Sequence, residues 1–471
     1  MESAGLRRRA ATQKQENSEQ PGSWIIAGHE PPRFTVDLSV APEHRYDHIV
    51  PHLKPAIADA DVAAQLSEVF EFLFPEMPLA QKCMHGIARV ALRRVYSDEE
   101  TAEIRGIARA TGMPMYLLVA LNVSLDILLG CTSGGVRYQP GPNSKPPTRI
   151  LHFRTLDWTM DPLRNLIVEI DYVQRPSGPV IATTVGYLGY VGVLTGVRKG
   201  LSMSLNYRAH HDTSTLSKRL AFRYHQLLVI LGRRPSVSST LRTFLLPPSP
   251  PLTSALKPKP STSGLPSITN ILGTLSSSPS TAAYLIFGTP QKVHSLEKDH
   301  HSSHLTSSST FLATCNHDLS DEQDLTQLKR MADGVPAETV VQFLLQDSMV
   351  RKWMINEKWE EIRDGEGEGG GERSEKGSRE RKRRGKGKGK EKMEGKGEKA
   401  GKLKREEGWG VSLDEVLQMV NTGWISNDMT HYAVVMDPEE GKVVWRRAYE
   451  VGELGGSDSS DEEGEGETAD P

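Results

Sequence analysis

Cysteine is scarce in this chain: Cys83, Cys131 and Cys315 are the three in 471 residues, and none shows CxxC spacing. That excludes a disulfide-built framework, leaves room for one bridge at most, and fits a reducing compartment. Long apolar runs are also missing, since none approaches the ~20 residues that a membrane span needs. The first twenty residues are polar and carry Arg7-Arg8-Arg9 with no apolar stretch behind them. No secretory signal is therefore expected, and the default expectation is a soluble cytoplasmic chain. Apolar residues make up only 37% while Gly (42) and Pro (29) are abundant, so part of the length is expected outside any packed core. The formal net charge of −3 hides segregation: residues 373–404 are rich in Lys and Arg, and residues 453–470 are acidic. The net value therefore says little about partners.

What is present begins as a polar leader over residues 1–31, followed by alternation over residues 32–39 that predicts a short strand. Val62, Leu66, Val69, Phe70 and Leu73 recur at helical spacing, and Pro75 stops the run. Ser97-Asp98-Glu99-Glu100 reads as a capping box for a helix that carries Ile104 and Ile107 inward and ends at Gly112. An apolar run over residues 116–129 then leads into Gly130-Cys131. From there the period changes, with strands predicted over residues 149–155, 165–174, 179–184 and 201–207. A helix is predicted over 217–231, a flexible loop over 247–266, and strands over 283–288 and 310–315 joined by a Ser/His-rich loop. Residues 364–407 form a low-complexity charged insert. Ser412 and Glu415 form a second capping box, and strands over 430–436 and 443–449 end the pattern before an acidic tail at 453–471. Helices followed by a mostly antiparallel sheet with returning helices predict a layered α+β fold.

Cys131 stands out by setting: an apolar helical run precedes it, small Gly130 adjoins it, and Thr132-Ser133 continue into a strand. Downstream, Arg154-Thr155-Leu156-Asp157-Trp158 place a guanidinium and a carboxylate three residues apart. A guanidinium near a thiol favours thiolate. A carboxylate near an amine orients it and tunes its proton affinity. Asn206-Tyr207-Arg208 and Phe311-Leu312-Ala313-Thr314-Cys315-Asn316-His317-Asp318 complete the set. Gly186, Gly189, Gly192 and Gly196 lack the Lys-Ser/Thr of a phosphate loop and are read as close backbone packing.

On these motifs the stretch 131–208, with the Asn316 block, resembles the acid ceramidase and N-acylethanolamine-hydrolysing acid amidase family. These are N-terminal-nucleophile hydrolases of the choloylglycine-hydrolase type. The resemblance implies an α+β fold of the four-layer αββα sandwich type, with disordered inserts and tails. It implies that the protein cuts its own chain between Gly130 and Cys131. Residues 32–130 then form a helical first subunit, and residues 131–363 and 408–452 the catalytic part, the two pieces staying associated. The new α-amine of Cys131, with a reference pKa of ~7.7–8.0, would serve as base for its own thiol. Arg154 and Asp157 match the family's paired motif, and Trp158 follows as a substrate-binding residue. Asn316 falls at the oxyanion-binding position, where a side-chain N–H typically contributes ~3–4 kcal/mol. Asn206 is placed near the leaving group and Arg330 at an arginine that follows the Asn block, both as substrate-binding residues. Tyr207 stands where relatives carry an acidic residue, and residues 139–147 form an apparent insertion.

The activity implied is hydrolysis of an N-acyl lipid, a ceramide or an N-acylethanolamine, with no cofactor and no metal, and with transient membrane-surface contact. Two alternatives stay open: a penicillin- or bile-acid-type amide as substrate, or an unprocessed chain that binds lipid or acts through its basic tract. His300, His301 and His304 lack the companion ligands of a metal site. Arg381-Lys382-Arg383-Arg384 has no interleaved aromatics, so no nucleic-acid partner is expected. Asn122-Val123-Ser124 is a glycosylation sequon inside a predicted apolar helix. The relatives named are lysosomal, which conflicts with the expectation of no secretory signal.

Overall fold

Strand β3 (Arg149–Asp157) shows how the sequence sorts its side chains. Leu151 and Phe153 join a core with Ile355, Val416 and Leu417, while Leu156 lies in a separate buried cluster with Val185 and Leu205. His152 and Arg154 reach the same side as Leu156, touching Ser202, Ser204 and the carbonyls of Leu194 and Leu205. Successive side chains point to opposite faces, and here both faces are covered. The computed structural model describes residues 28–59, 64, 86, 88–124, 130–141, 144–248, 264–324, 340–365 and 409–454.

Two sheets and flanking helices make a mixed α/β chain, as the sequence predicts. The five-stranded sheet runs β11 (Phe311–Thr314), β2 (Gly130–Tyr138), β3, β12 (Thr430–Asp437), β13 (Lys442–Ala448), antiparallel throughout. The eight-stranded sheet runs β1 (Arg33–Asp37), β4 (Ile167–Val173), β5 (Val180–Tyr187), β6 (Thr195–Arg198), β7 (Leu201–Tyr207), β8 (Ala283–Gly288), β9 (Val293–Lys298), β10 (Ser303–Ser308). Only its β1–β4 pair is parallel. Cys131, Leu156, Tyr432 and Val434 from the first sheet share one apolar cluster with Val185, Val197, Met203 and Leu205 from the second.

The helices are α1 (Val50–Asp59), α2 (Asp98–Thr111), α3 (Met115–Ser124), α4 (Leu216–Ile230), α5 (Val237–Leu245), α6 (Ile268–Ser277), α7 (Val340–Asp364) and α8 (Leu413–Val420). Ile355, Ile362, Val416 and Leu417 of α7 and α8 cover the face of β3 that carries Leu151 and Phe153. Helix α5 rests on β6 and β7, and α6 on β9. The Ser412 capping box closes in both directions. The Ser97 box closes in one: Ser97 Oγ accepts from Glu100 N, but the Glu100 carboxylate accepts instead from Ser239 Oγ at 2.8 and 3.0 Å. Gly112, at φ +78°, ends α2 as expected.

Several differences from the sequence reading have plain causes. The Ser/His-rich loop is the hairpin β9–β10, whose polar residues suit an exposed sheet edge. The glycine run contains β6, and its glycines admit α5: a Cβ on Gly192 would meet Ser238 Oγ at 2.7 Å, and one on Gly196 would meet Leu245 Cδ2 at 2.8 Å. Helices α5, α6 and α7 went unread, although α5 buries Val237, Leu241, Phe244 and Leu245 at helical spacing; in α7 mixed charge blurs the apolar face. His29, assigned to the leader, pairs with Ala448. Asn122 is buried, bonded to Leu118 O, Gly189 O and Val191 N, so its sequon sits inside the core. The helix read around Val62–Leu73, Cys83, most of the 247–266 loop and nearly all of the 364–407 insert lie outside the described residues.

One close approach gives a direct stability prediction. A Cβ on Gly106 of α2 would lie 2.2 Å from the Glu43 carbonyl oxygen, a backbone atom that cannot swing aside. Gly106→Ala is expected to destabilise the chain by about 1–3 kcal/mol, read from urea unfolding midpoints. An unchanged midpoint would mean that residues 42–44 yield freely.

Candidate active site

Cys131 lies at the second residue of β2, between two antiparallel neighbours. On one side Gly130 opposes Asp157 and Cys131 opposes Leu156. On the other side Thr314 opposes Ser133, so the chain leaving β11 brings Asn316 level with Cys131. Arg154 opposes Ser133, two residues from Cys131 on the same face, so its long side chain reaches diagonally to the thiol. Arg154 Nη2 donates to Cys131 Sγ at 3.1 Å, while its Nη1 donates to Leu194 O at 2.7 Å and Leu205 O at 2.9 Å. The ring of Tyr432 lies 5.9 Å from the guanidinium carbon.

The backbone of Cys131 is held as firmly as its side chain. Its N–H donates to Asn316 Oδ1 at 2.7 Å, and its carbonyl accepts from Arg351 Nη1 at 2.7 Å. Arg351 also donates to Thr132 Oγ1 at 2.9 Å and to Asn316 Oδ1 at 3.0 Å, and lies 3.6 Å from Asp157 Oδ2. Two donors converge on Asn316 Oδ1, whereas its Nδ2 donates to the Tyr207 carbonyl at 2.8 Å. Turning the amide over would set N–H against two donors, so the orientation is determined by its partners. In this state Asn316 is an acceptor toward Cys131.

The charges divide by face. Arg154 works between the sheets, while Asp157 turns toward α7, accepting from Thr430 Oγ1 at 2.8 Å and facing Arg351. Burial pushes the Cys131 thiol up to about 11, although Arg154 pulls it down, with Asp157 raising it and Arg351 lowering it. Burial likewise lifts the Asp157 carboxyl to about 6 against the pull of Arg351 and of Thr430. At neutral pH the resting thiol is therefore protonated and the carboxyl ionised.

The remaining sequence-predicted residues divide as follows. Asn206 accepts from Ser133 Oγ at 2.7 Å and donates to the carbonyls of Thr314 and Cys315, bracing β2 against β11. Trp158 is buried, its ring 5.7 Å from that of Tyr187 and 6.0 Å from that of His431. Gly130 adjoins Asp157, whose Cβ would lie 3.3 Å from a Cβ placed there. Arg330 lies outside the described residues. Arg351, Thr430 and Tyr432 were missed. Asp347 and Arg351 at i, i+4 read in sequence as an ordinary helical surface pair; only the docking of α7 buries Arg351. Among the described residues, no group of three or more His, Cys, Asp or Glu side chains is placed to hold a metal.

The family model for the beta subunit of N-acylethanolamine-hydrolyzing acid amidase matches residues 29–95. The N-acylethanolamine-hydrolyzing acid amidase of Rattus norvegicus is 28% identical over 179 residues, covering 37% of this chain and 44% of that protein. That of Caenorhabditis elegans is 28% identical over 194 residues, 39% of this chain and 50% of that one. The acid ceramidase of Mus musculus is 33% identical over 121 residues, 22% and 28% of the two chains. The chain thus matches about half the length of the first of these curated relatives. The solved Caenorhabditis elegans N-acylethanolamine-hydrolyzing acid amidase ortholog aligns at a TM-score of 0.38 and 18% identity, over 66% of this chain and 93% of that one. By these matches the chain is similar, over part of its length, to N-acylethanolamine-hydrolyzing acid amidases and acid ceramidases.

Proposed function

We propose that this chain cuts itself between Gly130 and Cys131 and then hydrolyses the amide of an N-acyl lipid, a ceramide or an N-acylethanolamine. The observation that carries the reading is the three-point hold on Cys131: Sγ by Arg154, N by Asn316 and O by Arg351. A merely structural cysteine needs neither of the two guanidinium partners. The family model matched at residues 29–95 is named for a subunit and ends before Cys131, which supports a chain that works as two pieces.

In the first reaction Cys131 Sγ attacks the Gly130 carbonyl carbon. An S–C bond forms, the C–N bond breaks, and the thiol proton passes to the departing nitrogen. Water then adds hydroxide to the acyl carbon and returns a proton to sulfur, leaving a carboxylate at Gly130 and a free amine at Cys131. Asn316 Oδ1, which accepts from the amide N–H, would then accept from that amine. In the second reaction the amine takes the thiol proton as Sγ attacks the lipid amide and hands it to the leaving amine. Water resolves the thioester to a fatty acid by the same exchange. The family resemblance assigns Trp158 and Asn206, both buried here, to the substrate side, and an open groove of about 290 Å³ bounded by Arg89, Leu92, Arg93, Pro114, Met115 and Tyr116 offers apolar wall for an acyl chain.

The test is intact mass after incubation from pH 4 to 8, followed by fatty-acid release from ceramides and N-acylethanolamines of several chain lengths. Fragments 1–130 and 131–471 and release from one substrate class are expected. A chain that stays whole at every pH would overturn the self-processing reading. A split chain inert toward both substrate classes would favour another amide.

A further inference from the structure

Away from Cys131, a buried charge cluster among the described residues joins the part of the chain before it to the part after. Glu103 of α2 is fully buried and takes both arms of Arg242 from α5: Nη1 to Oε2 and Nη2 to Oε1, each at 2.7 Å. Arg45 donates to the same carboxylate at 2.6 Å and also pairs with Glu99. These two guanidinium groups face Glu99 and Glu103, so their charges already balance. A third carboxyl, Glu100, sits 3.9 Å from Arg242 Nε and accepts from Ser239 Oγ. Tyr46 completes the surroundings, facing Glu103, Arg242 and Tyr172 of β4.

Arg242 does more than neutralise Glu103. Its Nη1 donates to Val191 O at 2.6 Å, and the Val191 N–H donates to Asn122 Oδ1 at 2.8 Å. The next residues bond back to α5, with Val193 N donating to Ser238 O at 3.1 Å. The same short segment ends at Leu194, whose carbonyl holds Arg154. A continuous chain of bonds therefore runs from α2 through Arg242 and residues 191–194 to the guanidinium on Cys131 Sγ.

We propose that Glu100 is a proton-sensing positioning residue for Arg154. Protonated, Glu100 leaves Arg242 on Glu103 and on the Val191 carbonyl. Ionised, it adds an unbalanced buried charge that draws the guanidinium off Val191 and loosens the segment that seats Arg154. Burial pushes the Glu100 carboxyl up to about 7, against Arg242 and the Ser239 hydroxyl, with Glu103 and Glu99 adding to the rise. The sign is fixed by proton counting. Between the ordinary value of 4.5 and about 7 the folded chain binds more protons than the unfolded one, so stability falls as pH rises through that window. The consequence for catalysis rests on the function proposed above, but the switch itself does not.

The test uses the full chain carrying Cys131→Ala, which cannot split, and amide hydrogen exchange read by mass spectrometry. Protection of the Val191, Val193 and Leu205 amides, corrected for the intrinsic pH dependence of exchange, is expected to fall about tenfold between pH 6 and 8. Adding Glu100→Gln, which mimics the protonated form, is expected to hold protection level across that range. Arg242→Lys, which keeps the charge but loses the fork, is expected to lower protection at every pH. Equal pH profiles with and without Glu100→Gln would overturn the proposal, as would parental protection in Arg242→Lys. In the Cys131-bearing chain, Glu100→Gln is expected to extend splitting toward neutral pH. Failure of both chains to split would count against the proposed function alone, because the exchange result is independent of splitting.

Discussion

Replacing Cys131 by alanine is expected to leave the 471-residue chain in one piece and to lower amide hydrolysis by about 10⁴-fold or more. Removing a nucleophile leaves only what binding and charge stabilisation supply. No neighbour can take its place. Cys315 is buried with its sulfur turned toward Thr132 Oγ1 at 3.6 Å, across the strand from the Arg154 guanidinium, and burial raises its thiol as well. Cys315→Ala is therefore expected to retain both splitting and turnover, which makes it the internal control. Intact mass and fatty-acid release on the two variants decide the matter. A Cys131→Ala chain that still splits or still releases fatty acid would sink the mechanism.

Arg351→Met is expected to have the second-largest effect, on folding as well as on reaction. The guanidinium is buried and serves Cys131 O, Thr132 Oγ1, Asn316 Oδ1 and Asp347, with Asp157 close by. Deleting one side of such a buried arrangement typically costs about 3–5 kcal/mol, because the carboxylates left behind lose their counter-charge. The pH dependence distinguishes this cause from lost packing. Arg351 is the largest influence pulling Asp157 down, so without it the carboxyl climbs further above about 6. A raised carboxyl holds its proton in the folded state, so stability falls as pH rises from 3.8 through the folded value. The deficit of the variant should thus be largest at pH 7.5 and shrink by pH 4, measured by urea unfolding at both. A loss of equal size at the two pH values would show that packing, not charge, is what Arg351 contributes.

How far the site could be read beforehand depended on the range of the signal. Cys131, Arg154 and Asp157 lie on adjacent strands within one stretch of chain, and the resemblance of that stretch to a family motif carried the reading. Asn316 was recognisable through its own short block after β11. Arg351 was not, because an Asp-Arg pair at i, i+4 has the same sequence signature on a solvated helix as on a buried one. Glu100 was read as a capping-box member, since local sequence cannot show that Ser239, 139 residues away, will take its carboxylate.

By itself the sequence determined the change from helical to alternating periodicity at Gly130, most of the strands it leads into, the caps of α2 and α8, and the type of residue available at position 131. These are local matters, settled by side-chain spacing within a few residues. Only the tertiary structure decided which charges share a face, which way Asn316 turns its amide, and that residues 191–194 tie Arg154 to α5. Those depend on strand register and helix docking, where contacts between distant parts of the chain set the burial that governs each charge.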